Sequence, residues 1–264
     1  MIRYLFAIAL ALGCLTASAE EALPKELPPD QEAAALRTAE TTGLAIYRHD
    51  RAAAVATDAA LELRRFKRDK RVKGWITQEQ QDRIVVTFID ETPAALYRVD
   101  VSNDGVAGPV TTIETPASLT PYESGAAAAR AAALASKFQP CSDKYNSVVL
   151  PSAGGSENSW VVYLLPATTK NDVVPIGGTY RIAVDGANVV SQRGFTRSCI
   201  ALQTDPRAVG LMITHLLDPI PTEAHVFWSL WAKKPIYVAT PPHGSLWVVD
   251  GDKIKLAERK TADD

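Results

Sequence analysis

The chain is poor in the residues that usually carry chemistry. Its 264 residues include three cysteines and four histidines, and 28 basic side chains nearly balance 30 acidic ones. That balance leaves no basic stripe for nucleic acid or an anionic membrane surface across the whole chain. There is no His-Glu-x-x-His, no Gly-x-Ser-x-Gly, no P-loop and no Gly-x-Gly-x-x-Gly after a strand pattern, which argues against the common peptidase, hydrolase and nucleotide-binding designs. The paired glycines Gly154-Gly155 and Gly177-Gly178 do not lead into helices, so they make no phosphate cradle. Nothing here calls for a cofactor. Beyond the N-terminus no apolar run reaches the ~18 residues of a membrane span.

The N-terminus itself is informative. Arg3 is followed by an apolar run from Leu5 to Leu15 and by Ala17-Ser18-Ala19, the layout of a secretory signal peptide. Cleavage after Ala19 makes residues 1–19 a leader and Glu20 the first mature residue, in the periplasm or the medium. The alternative is a lipoprotein signal anchored at Cys14, although Ala11 stands where such signals usually carry leucine. Either way Cys141 and Cys199 remain. An exported chain tends to oxidise such a pair, and without Cys-x-x-Cys or an adjacent histidine the expected outcome is a structural disulfide.

Residues 20–30, rich in proline and acid, read as an extended tether. Helical patterns follow from Gln31 and from Asp50, with Gly43 as a break and Asp50 as a cap beside His49. The basic run Arg64 to Lys73 reads as the solvated end of the second helix. The period then switches to two: "DRIVVTFID" and "AALYRVDVS" are strands, and Asn103-Asp104-Gly105 turns into a third. After a linker at 115–118, "TPYESGAAAARAAALASKF" is an Ala-rich helix, followed by a long succession of strand patterns that includes "AHVFWSLW". Helices come in blocks before strands, so the fold class is α+β, with antiparallel sheets covered by helices and two helix-then-meander units, 31–114 and 115–264.

Within the first unit, "VTFIDETPAALYRVDVSNDGVAG", in residues 80–108, resembles the strand pair of PepSY-type modules, small exported domains in which helices pack on an antiparallel sheet. The resemblance rests on the exported context, the preceding helix, the Tyr-x-Val strand (Tyr97, Val99) and the turn glycine Gly105. It implies a non-enzymatic inhibitory or binding role by fold analogy.

The nearest approach to a chemical motif is "THLLDPIPTEAHVF", residues 214–227, with His215, Asp218, Glu223 and His225. Read as a hairpin, it places His215 on the core side of its strand and His225 on the opposite side, where two imidazoles cannot share a metal. Zinc would also need three or four converging ligands, so no metal site is expected. The tip then presents Asp218 and Glu223 to solvent and is stiffened by Pro219 and Pro221, a good binding surface. His243, in a turn before Ser245, reads as a turn residue. The sequence therefore suggests an exported envelope protein that binds a protein or small ligand. The competing classes are a metal-dependent hydrolase using the four residues of this stretch and a passive structural envelope protein.

Overall fold

The computed structural model describes residues 23–168, 170, 172–205 and 207–261; the expected leader, with its expected cleavage after Ala19, and Cys14 lie outside them. The architecture is α+β, with three four-stranded sheets interleaved with helices. Helix α1 (Pro29–Leu61) carries a proline at its first turn and acids Asp30 and Glu32 beside it, a favourable start for the backbone and the helix dipole. It runs 33 residues without interruption. Gly43 is therefore not a break, and Asp50 is not a cap but a buried residue deep in the helix.

The reason for Gly43 is proximity. A Cβ there would lie 2.6 Å from Val226 Cγ1 and 2.7 Å from the Glu223 carbonyl oxygen. Only glycine lets helix α4 (Glu223–Ala232) come this near. We expect Gly43→Ala to destabilise the protein by about 1–3 kcal/mol, the usual cost of overpacking, even though alanine is the better helix former. Urea denaturation checks this, and a more stable variant would refute the tight crossing.

The first sheet, in order β1 (Gly74–Gln80), β2 (Arg83–Ile89), β3 (Ala95–Ser102) and β4 (Thr111–Ala117), is antiparallel throughout. It packs against Ala52, Ala56 and Ala60 of α1 through Val86, Phe88, Leu96 and Val99. Short helix α2 (Arg64–Arg68) leaves the basic run in solvent and anchors it by Phe66, whose ring sits 4.9 Å from Phe88 and 5.0 Å from Tyr97.

Helix α3 (Pro121–Ala135) opens with a reciprocal capping box: Glu123 N–H donates to Thr120 Oγ1, and Thr120 N–H donates to the Glu123 carboxylate. It covers one face of the second sheet, β5 (Tyr145–Pro151), β6 (Ser159–Pro166), β8 (Tyr180–Asp185) and β9 (Asn188–Gly194), also antiparallel. A two-stranded ribbon, β7 (Val173–Val174) with β10 (Leu202–Gln203), sits in its connections. Cys141, after α3, and Cys199, after β9, form a disulfide.

The third sheet holds β11 (Leu211–Thr214), β12 (Ile236–Thr240), β13 (Ser245–Asp250) and β14 (Lys253–Glu258). The expected linker at 115–118 instead begins inside β4, and the strands after it divide between two four-stranded sheets and the β7–β10 ribbon. β11 and β12 are parallel, so the chain between them must cross back over the sheet. That crossover is α4. The stretch "AHVFWSLW" is helix, not strand, and the expected hairpin at 214–227 does not exist. Residues Ala224 to Ser229 are all buried, between α1 and the third sheet, and a helix apolar on every side shows no period from which to recognise it.

Among the described residues no helix is long and apolar enough to cross a membrane.

Candidate functional site

Register builds the site. Across the second sheet, Val148 pairs with Tyr163, Tyr163 with Arg181 and Arg181 with Arg193. Residues so paired point to one face, here the face turned away from α3. The alternate residues Val162, Leu164, Ile182 and Val184 form the core under α3. Arg181 and Arg193 thus stand side by side on adjacent strands, toward α1 and the segment 215–223.

That segment meets them with two carboxylates. Asp218 takes Arg193 in a bidentate pair, with Nη1 donating to Oδ1 at 3.0 Å and Nη2 donating to Oδ2. His215 Nε2 lies 2.8 Å from the same Oδ2. Burial alone would raise the Asp218 pKa, but the hydrogen bonds from His215 and Arg193 and the Arg193 charge outweigh it and hold the carboxyl well below the usual range. Glu223, the first residue of α4, accepts at Oε1 from Arg181 Nη1 (2.9 Å) and from the Tyr163 hydroxyl (3.2 Å). Burial, then the Glu223 charge, pushes the Tyr163 hydroxyl pKa well up.

The two histidines are not on opposite faces. His215 and His225 pack edge to face with ring centroids 4.7 Å apart, and both are buried. His225 nevertheless has a structural role, since its Nδ1 accepts the Thr222 backbone N–H at 3.0 Å and so satisfies an N-terminal amide of α4. Burial first, then the neighbouring His215, drives its pKa well below the ordinary value, so it is neutral near pH 7. Asp218 and Glu223 are not in solvent either. Glu223 is 7% exposed, Asp218 is half-buried and Pro221 is buried. The exposed, rigid Pro-x-Pro tip expected from sequence is instead the rim of a cleft. No group of three or more His, Cys, Asp or Glu side chains is arranged to hold a metal among the described residues.

The cleft has a volume of about 880 Å³, within the range of small-ligand sites. Ala35, Ala39 and Ala45 of α1 form one wall, Val161, Tyr163, Arg181, Ala183 and Arg193 of the sheet form the floor, and 218–223 forms the far rim. Sequence reasoning singles out Asp218 and Glu223 but misses the arginines, which belong to no motif. The available signal is alternation: Arg181 sits between Tyr180 and Ile182 in a mostly apolar stretch of β8, and such a charge must be exposed or paired.

No family model matches this chain, and no curated protein matches it. Among solved structures, the chain is similar to the C-terminal domain of YpeB from Bacillus megaterium, at 16% identity, covering 54% of this chain and 66% of that one, with a TM-score of 0.18. The match therefore spans just under two thirds of that chain. A likeness this weak assigns neither fold nor role. The residues that resemble PepSY-type modules form the β2–β3 pair, with Tyr97 and Val99 buried against α1 and α2.

Proposed function

We propose that this is an exported envelope protein that works by binding, and that the cleft between α1, the second sheet and residues 218–223 is its ligand site. The observation that carries the reading is the pair of arginines set into an otherwise small-residue, largely apolar cleft, each held by a carboxylate from one short segment. Fixed polar groups in an apolar hollow are the usual make-up of a recognition site. The hydrolase reading loses support because its four residues already have partners. Asp218 is tied to Arg193 and His215, Glu223 to Arg181 and Tyr163, and His225 to the start of α4. The leader pattern supports export, and the Cys141–Cys199 disulfide agrees with an oxidising compartment.

Ser191 lines the cleft from an exposed position on the edge strand β9, so Ser191→Trp sets an indole in the cleft's path without forcing a large side chain into a packed core. Incubated with an envelope extract and read by native mass spectrometry, wild type is expected to retain a bound species at least tenfold more than Ser191→Trp. Equal retention would remove the cleft from the function.

A further inference from the structure

We infer that the cleft takes an extended polypeptide segment, bound through a peptide group that bridges Arg181 and Glu223; this rests on the cleft being the ligand site. The first ground is charge. Among the described residues, the charged side chains lining the cleft are Arg181, Arg193, Asp218 and Glu223, two of each sign. A ligand with net charge would leave water for a neutral environment and find no uncompensated opposite charge. A neutral but polar ligand meets no such loss.

The second ground is what these groups leave unused. Both bonds to Glu223 arrive at Oε1, and Oε2 accepts none among the described residues. Trp160 Nε1 is the only fully buried side-chain polar atom without a partner among those residues, so Glu223 Oε2 opens onto the cleft. Arg181 gives Glu223 only Nη1, its guanidinium otherwise lies near the Tyr163 hydroxyl, and 41% of its side chain is exposed. Most of its five N–H donors are therefore free for a ligand. A vacant acceptor stands next to vacant donors, the complement of one amide: its N–H donates to Glu223 Oε2 and its C=O accepts from Arg181.

The third ground is the wall. Ala35, Ala39, Ala45, Leu150, Val161 and Ile220 offer an apolar surface, half of it alanine, which suits the aliphatic side chains that flank a peptide group. Neutral carbohydrate is the rival, but sugar sites rely on aromatic faces, and among the described residues Tyr163 is the only aromatic one lining this cleft.

The probe is a random heptapeptide library displayed on phage, selected on the mature wild-type protein. The expected result is enrichment of peptides with net charge near zero, whose synthetic forms bind Ser191→Trp and Arg181→Met at least tenfold more weakly. Arg181→Met leaves Glu223 without its cation and its folding is checked by circular dichroism; Ser191→Trp, at an exposed position, carries the test if that variant is unfolded. No enrichment, enrichment only of strongly charged peptides, or equal binding by Ser191→Trp would overturn the inference, as would binding of neutral oligosaccharides in place of peptides. If envelope material is still retained in a cleft-dependent way while peptides fail, the binding role stands and only the peptide class falls.

Discussion

Reducing the Cys141–Cys199 disulfide should lower stability by up to about 4 kcal/mol, from the loop-entropy relation applied to its sequence separation of 58. That is a large share of the ~5–15 kcal/mol by which a domain is usually stable. The bond closes a region that is already tightly fitted. Phe138 packs edge-to-face against Tyr145 and at a tilt against Tyr180, at centroid distances of 5.2 and 5.1 Å, the Tyr145 hydroxyl accepts the Cys141 N–H, and Gly177 N–H donates to the Ile200 carbonyl. These contacts should persist after reduction, so the native fold should loosen without changing topology. Differential scanning calorimetry with and without reductant reads the shift, and thiol counting on the denatured, unreduced protein reads the bond. Two free thiols per chain, or an unchanged melting temperature, would refute the claim.

What can be read from the sequence, and what cannot, follows from how local each signal is. Strands β3 and β8 are legible because alternation is a property of neighbouring residues. So is the start of α3, where Thr120, Pro121 and Glu123 spell a capping box within four residues. Helix α4 is not, because its apolar run fits a buried strand and a buried helix equally well. The deciding fact is the parallel pairing of β11 with β12, which lies outside the run itself. Gly43 misleads for a similar reason: glycine signals a break unless a second helix needs the space, and only the fold supplies that helix. The candidate residues follow the same rule. Asp218 and Glu223 are visible as charges near prolines, but their partners Arg193 and Arg181 lie on other strands, more than twenty residues away in the chain. Only the register of the second sheet brings them together.

The same limit hides a polar seam where α1 passes between the first two sheets. His49 Nδ1 lies 2.8 Å from Thr77 Oγ1 on β1, and Asn146 Nδ2 on β5 donates to Asp50 Oδ1 at 3.0 Å. Both residues of α1 are buried, on a helix whose other buried residues there are mostly alanine. Adjacent in sequence, they reach different sheets, so α1 is fastened to both by polar contacts. Such contacts need particular partners in a particular place, and thereby fix the helix's position more strictly than alanine packing does.

Asp50→Asn should therefore raise stability at pH 7.5 by about 3 kcal/mol and confer almost no advantage at pH 4. Burial raises the Asp50 pKa from 3.8 to about 6, against the opposing Asn146 hydrogen bond. An acid whose folded pKa lies above its unfolded value is a cost above pH 6, and that cost fades as pH falls toward 3.8. The amide of the variant has the same shape, can still accept from Asn146 and carries no charge to bury. His49 works the other way. Burial lowers its pKa from 6.5 to about 4, so its neutral form contributes stability above pH 6.5 that is lost as pH falls toward 4. In wild type the two trends oppose each other between pH 6.5 and 4, and stability should change little there on their account. Removing the Asp50 carboxylate uncovers the histidine trend, which His225 reinforces because burial lowers its pKa as well. Denaturation midpoints of both proteins from about pH 7.5 to 4 give the answer: the variant should start well above wild type and converge on it. Parallel curves would mean that the carboxylate is solvated in the folded protein, and no gain at the upper end would mean that burying it costs nothing.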